Sequence, residues 1–106
     1  MSDSKGTTFP TDANNSPIWA LRPRTTHTLS FTGTSQQTPA FNKNTIVVRV
    51  YANQDCFLEF GLNPTATSSS MPLPAGVVEY FKVQDAEKIA AIQVSAAGSL
   101  YVTELR

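Results

Sequence analysis

Hydrophobic and polar positions alternate with a period of two over most of the chain from residue 25 onward, and the clearest case is Thr45 to Phe60. Ile46, Val48, Val50 and Ala52 fall on one side of an extended segment, and Val47, Arg49 and Tyr51 on the other. These are the β-branched and aromatic types that fit a pleated surface. Asn53-Gln54-Asp55 then breaks the pattern, and Asn and Asp side chains bond their own backbone in turns. Cys56 to Phe60 resumes it, so the stretch predicts either a β-hairpin or two strands joined by a tight corner.

The same reading extends in both directions. Thr25–Thr32 predicts a strand with His27, Leu29 and Phe31 on one face, closed by a turn at Gly33-Thr34-Ser35. Pro39 weakens Gln36–Phe41 to an edge strand or loop. Asn42-Lys43-Asn44 turns the chain again. After Phe60, Gly61-Leu62-Asn63-Pro64 reads as a turn, Thr65–Ser70 as a small-polar loop and Met71–Pro74 as extended chain. Val77–Val83 has strand composition. Lys88–Ser95 has helical propensity with Asp85 as an available N-cap, but no clean helical stripe. It is therefore read as a strand whose small residues admit a closely packed layer. Ala96-Ala97-Gly98 makes a turn and Ser99–Leu105 a closing strand. Short strands separated by turn signals predict an all-β fold: a single compact β-sandwich or small jelly-roll-like barrel.

Residues 1–17 hold almost no apolar side chains beyond Phe9 and Ala13. Such a segment cannot offset its ordering entropy by burial. It reads as a flexible, extended N-terminal arm, either a disordered tail or one that orders on a partner, leading into a β-sandwich body of residues 18–106 with Trp19 at the junction.

Composition narrows the function. The length of 106 residues favours one domain. The 41% hydrophobic content is modest and points to stabilisation by a partner or by further copies of the chain. The formal net charge is zero, which argues against nucleic acid as a ligand. No segment resembles a signal peptide or a membrane span. The single cysteine, Cys56, reads as a buried, inert thiol in a reducing compartment. One histidine and one cysteine fall short of a zinc site, and no phosphate loop occurs. Asp55 and Glu59 are read as pointing to opposite faces of their strand, and so not as an acid–base pair. His27 is read as half-buried and structural. No cofactor, metal or catalytic residue is expected, and the chain is not read as an enzyme. Two features suit binding. Trp19, Tyr51, Tyr80 and Tyr101 are available as aromatic platforms for a carbohydrate or a protein. Arg22 and Arg24 flank Pro23 and are expected to project from the same side toward acidic groups of a partner.

Three longer segments carry a resemblance: "VRVYANQDCFLEFG", "NPTATSSSMPLPAGVVEYFKV" and "KIAAIQVSAAGSLYVTEL". Together they span about Thr45 to Leu105, and the chain there resembles a family of small virion proteins of tailed bacteriophages. Some related β-domain proteins serve as capsid decoration or cement proteins. The resemblance implies a capsid-surface protein, assembled in the bacterial host cytoplasm, that binds the major capsid protein and is homo-oligomeric on the lattice. It implies no active site. It supports a strand at Lys88–Ser95, and Asp85-Ala86-Glu87 stands where relatives tend to have a Gly-containing turn. The partner-binding residues expected on this reading are Phe9, Trp19, Arg22, Arg24 and Tyr51. A head–tail completion or tail component is the alternative within the virion, and a carbohydrate-binding β-sandwich module the alternative outside it.

Overall fold

The computed structural model describes residues 21–106. Eight strands follow one another: β1 (Pro23–Phe31), β2 (Gln36–Gln37), β3 (Val47–Ala52), β4 (Cys56–Gly61), β5 (Met71–Leu73), β6 (Glu79–Lys82), β7 (Lys88–Gln93) and β8 (Gly98–Leu105). They form two antiparallel four-stranded sheets, ordered β1-β8-β3-β6 and β2-β7-β4-β5. Only β4 and β5 are both sequence neighbours and sheet neighbours. The other connections cross between the sheets, the order of an eight-stranded jelly roll. The all-β reading therefore holds, and of its two forms this topology is the jelly roll.

The inner faces meet in one core. Phe31, Val48, Val50, Leu100 and Val102 come from the first sheet, and Cys56, Leu58, Leu73, Ile89 and Ala91 from the second. Phe60 and Phe81 close one end across the two sheets, with ring centroids 5.0 Å apart. The alternation predicted for β1 is present: His27 and Leu29 are half-buried and Phe31 is fully buried, while Thr26, Thr28 and Ser30 are exposed.

Asn53-Gln54-Asp55 proves to be the tight corner, since β3 and β4 lie in different sheets. The corner packs on the start of β8. A Cβ at Gly98 would lie 2.7 Å from both Asn53 Oδ1 and Gln54 Cβ, so only glycine fits there. Asn53 Oδ1 also accepts the Ser99 N–H at 2.8 Å.

Lys88–Gln93 is a strand, as its weak helical stripe implied. Its small residues are fully buried on both sides: Ala91 in the core and Ala90 on the outer face. Gln37, Glu59 and Ala90 share that outer face by register. The β4–β5 loop folds back over it. Gln37 Nε2 donates to Asn63 Oδ1 and to the Pro64 carbonyl, at 2.8 and 2.9 Å. Ser35 Oγ accepts the Ala66 N–H at 2.9 Å, and Ser70 Oγ donates to Glu59 Oε1 at 2.8 Å. Bulkier side chains at position 90 would lift this loop away.

Two expected boundaries shift. β3 begins at Val47, not Thr45, because Thr45 turns inward to a carboxylate and leaves Ile46 half exposed. Val47, expected on the outer side, is buried. β6 begins at Glu79, because Val77 and Val78 belong to the crossing from the second sheet to the first. That crossing is set by Gly76, whose φ is +79° and whose N–H bonds the Ala52 carbonyl at 2.9 Å.

Ala86 sits in the left-handed region, with φ +63°. This is the Asp85-Ala86-Glu87 turn, and the Cβ makes the conformation strained. Two opposite outcomes follow from these two turns. Ala86→Gly stabilises by up to about 1.6 kcal/mol, the left-handed cost of ~1–2 less the added unfolded-chain freedom of ~0.4–1. Gly98→Ala destabilises by about 1–3 kcal/mol through overpacking. Urea unfolding of the two variants beside the wild type measures both signs. A stabilising Gly98→Ala would show that the corner is not packed against β8.

Candidate functional site

The outer face of the first sheet differs from that of the second in having no loop of the described residues bonded across its centre. The ladder registers define its grid. One row reads Thr26, Thr103, Arg49, Tyr80, and the next reads Thr28, Tyr101, Tyr51. Val78, just before β6, follows on the edge beside Tyr80. With strands about 4.8 Å apart, the four-residue row spans roughly 14 Å. Tyr80 is 46% and Val78 37% exposed, Arg49 is exposed, and Tyr51 and Tyr101 are half-buried. The Tyr51 and Tyr101 rings lie 6.2 Å apart at 34°, a cross-strand aromatic pair. Thr26 and Thr103 share a hydroxyl–hydroxyl bond of 3.0 Å. Strand alternation brings all three tyrosines to one surface. Aromatic and arginine side chains on a flat sheet are the residue types enriched at protein interfaces.

Of the residues expected to bind a partner, Tyr51 lies in this grid. Arg22 and Arg24 lie at its end. Arg22 exchanges two backbone bonds of 3.1 Å with Arg106. The ladder slips between Pro23 and Thr26, and Arg24 falls within the slip, so strict alternation does not put the two arginines on one side. Phe9 and Trp19, and the arm of residues 1–17, lie outside the described residues.

The expectation for Asp55 and Glu59 needs a correction in its reason. Four residues is an even number of strand steps, so the spacing alone does not separate their faces. Each is held by a different segment: Asp55 Oδ1 accepts the Ala75 N–H at 2.8 Å, and Glu59 accepts the Ser70 hydroxyl.

A second polar cluster is internal. Leu100, Val102 and Glu104 share the inner face of β8, which puts a carboxylate among core side chains, 3% exposed. Glu104 Oε1 accepts the Thr45 hydroxyl and, at 3.0 Å, the Asn42 N–H. Its Oε2 bonds His27 Nε2, and the His27 ring packs 6.0 Å from that of Phe41. Burial by itself pushes the Glu104 pKa up, but the bonds from Thr45, His27 and Asn42 outweigh it and hold the group below the ordinary 4.5. The order of partners is wrong for nucleophilic catalysis. The Thr45 hydroxyl bonds the carboxylate and not the imidazole, and that carboxylate is a weakened base because its pKa is lowered. The cluster instead ties the Asn42–Thr45 turn to the first sheet. The sequence pattern carried a signal for it: a lone histidine and a glutamate each continue an otherwise apolar inner face.

Cys56 is fully buried, and burial, with the neighbouring Asp55 charge adding to it, raises the thiol pKa to about 11. This agrees with the inert thiol expected. Among the described residues no group of three or more His, Cys, Asp or Glu side chains is placed to hold a metal ion. No helix among them is long and apolar enough to cross a membrane. No protein-family model matches the chain, and neither a curated protein nor a solved structure matches it.

Because the folded Glu104 pKa is depressed, its contribution to stability is present above the unfolded carboxylate value and is lost as pH falls through the folded one. Glu104→Gln therefore loses about 1–3 kcal/mol at neutral pH, since the Thr45 and Asn42 donors lose a charged acceptor. Its stability also falls less steeply than the wild type's below the ordinary carboxylate range. Urea unfolding across that pH range reads both effects. Parallel curves for the two proteins would contradict the assignment.

Proposed function

We propose that the chain is a virion structural protein of a tailed bacteriophage, a capsid decoration protein that binds and stabilises the assembled head lattice. The observation that carries this reading is the outer face of the first sheet, uncovered at its centre among the described residues, where Tyr51, Tyr80, Tyr101 and Arg49 are gathered. The sequence resemblance over Thr45–Leu105 supplies the virion context. A protein that binds only the assembled shell stabilises it by mass action, without chemistry. Repetition on a lattice multiplies a weak single contact. The major capsid protein is the partner on this reading, and further copies of the chain surround each site.

A head–tail completion or tail role uses the same face with a different copy number. Hundreds of copies per particle support decoration, and six or twelve a connector ring. Glycan binding is the second reading, favoured by the adjacent Tyr51 and Tyr101 rings, since aromatic faces stack on sugar rings.

The test uses phage heads stripped of the protein. Wild type is expected to rebind and to raise the temperature at which heads rupture, while Tyr51→Ala with Tyr80→Ala rebinds weakly and raises it less. Heads that take up no wild-type protein would overturn the decoration reading. A glycan-array hit lost in the same double variant would support the carbohydrate module instead.

A further inference from the structure

We propose that the outer face of the first sheet recognises an acidic protein surface, with Arg49 and Lys82 as its charged anchors and Tyr51, Tyr80 and Tyr101 as the aromatic ground around them. This deepens the decoration reading, on which it rests for the identity of the partner but not for the chemistry of the face.

The charge distribution carries the inference. Strand alternation assigns Thr26, Thr28 and Ser30 of β1, Ser99, Tyr101 and Thr103 of β8, Arg49 and Tyr51 of β3, and Tyr80 and Lys82 of β6 to this face. Among the described residues it holds two cations and no carboxylate. The acidic residues of the same strands have the other parity: Glu104 points into the core and Glu79 lies opposite Val50. The protein as a whole has no net charge, with eight basic and eight acidic residues. A face bearing only cations is thus a local bias within a neutral chain. Among the described residues Arg49 and Lys82 make no ion pair, so neither cation is neutralised from within the sheet.

The neighbours suit a carboxylate partner better than the other occupants. Arg49 stands between Thr103 and Tyr80 in one row. A guanidinium presents a planar fork that matches a carboxylate bidentately. Tyr80 and Thr103 hydroxyls flank it and supply further donors, while the exposed Val78 and the tyrosine rings exclude water around the pair. A second copy docked face to face would set Arg49 against like charge, which is repulsive. A neutral glycan would leave both cations unused. A contact anchored by two surface cations is weak and salt-sensitive.

The experiment has two arms. In the first, the isotope-labelled full-length protein is titrated by NMR with a short synthetic peptide alternating glutamate and leucine, and with its glutamine counterpart. Shifts are expected at Arg49, Tyr51, Tyr80, Tyr101 and Thr103 with the glutamate peptide, shrinking as salt is raised, and absent with the glutamine peptide. The double variant Arg49→Gln, Lys82→Gln should lose about tenfold in affinity. Both positions are exposed, so its amide spectrum otherwise stays that of the wild type. Equal shifts with both peptides, shifts confined to the second sheet, or shifts from a neutral oligosaccharide in place of the peptide would overturn the proposal. In the second arm, Arg49→Glu with Lys82→Glu is offered to stripped phage heads that rebind the wild type, and occupancy is expected to fall at least about tenfold. Undiminished occupancy would overturn the assigned face and leave decoration standing. Heads that reject the wild type would sink decoration alone, and the peptide arm would still decide the face.

Discussion

The last strand holds this structure together. β8 lies between β1 and β3, so the first sheet exists only once the end of the described chain has returned to its beginning. Its two faces do different work. Inward it supplies Leu100, Val102 and the Glu104 carboxylate. Outward it supplies Tyr101 and Thr103, and its register sets Tyr101 beside Tyr51 and Thr103 beside Arg49. A slip of one residue would reverse both sets, sending the carboxylate to solvent and the tyrosine into the core. The buried cluster at Glu104 and the close packing at Gly98 both resist that slip. One fastens β8 to β1 and the Asn42–Thr45 turn, and the other seats it under the β3–β4 corner.

The two sheets then acquire different exteriors. The second sheet is closed by its own β4–β5 loop, pinned through Ser35, Gln37 and Glu59, and the small Ala90 of β7 makes room for it. Its edges are short: β2 has two residues, and β5 has three with Pro72 in the middle. Short strands and proline at an edge discourage pairing with other chains. Among the described residues, what is left open is the centre of the outer face of the first sheet. The jelly roll thus directs any flat contact to the tyrosine and arginine grid, which is why the functional proposal rests there.

Much of the fold was legible because the alternation in β1, β3, β4 and β8 is strong, and each of those strands buries one side. The Asn53–Asp55 break was equally clear, but a break does not state whether the chain returns to the same sheet. That choice depends on which distant strands pair, and no local pattern encodes it. Val77 and Val78 look like strand and are not, because composition does not distinguish a crossing from a ladder. Thr45 left the strand for a partner fifty-nine residues away, which short-range periodicity does not see. The three tyrosines were recognised as surface candidates one by one. Their convergence needed the β3–β8 and β3–β6 registers. The register shift between Pro23 and Thr26 likewise lies outside what perfect alternation describes.

Side-chain footprinting of the protein alone and mixed with the phage heads of the proposed function tests the central claim most directly, namely that this one sheet face is the contact surface. Hydroxyl-radical labelling read by mass spectrometry reports Tyr51, Tyr80 and Tyr101 on one exterior, and Phe57, Met71 and Ile92 of the second sheet as a reference. The account predicts that labelling of the three tyrosines falls on the particle while that of the second sheet is unchanged. Tyrosines labelled equally in both states, with protection on Phe57, Met71 and Ile92, would contradict it.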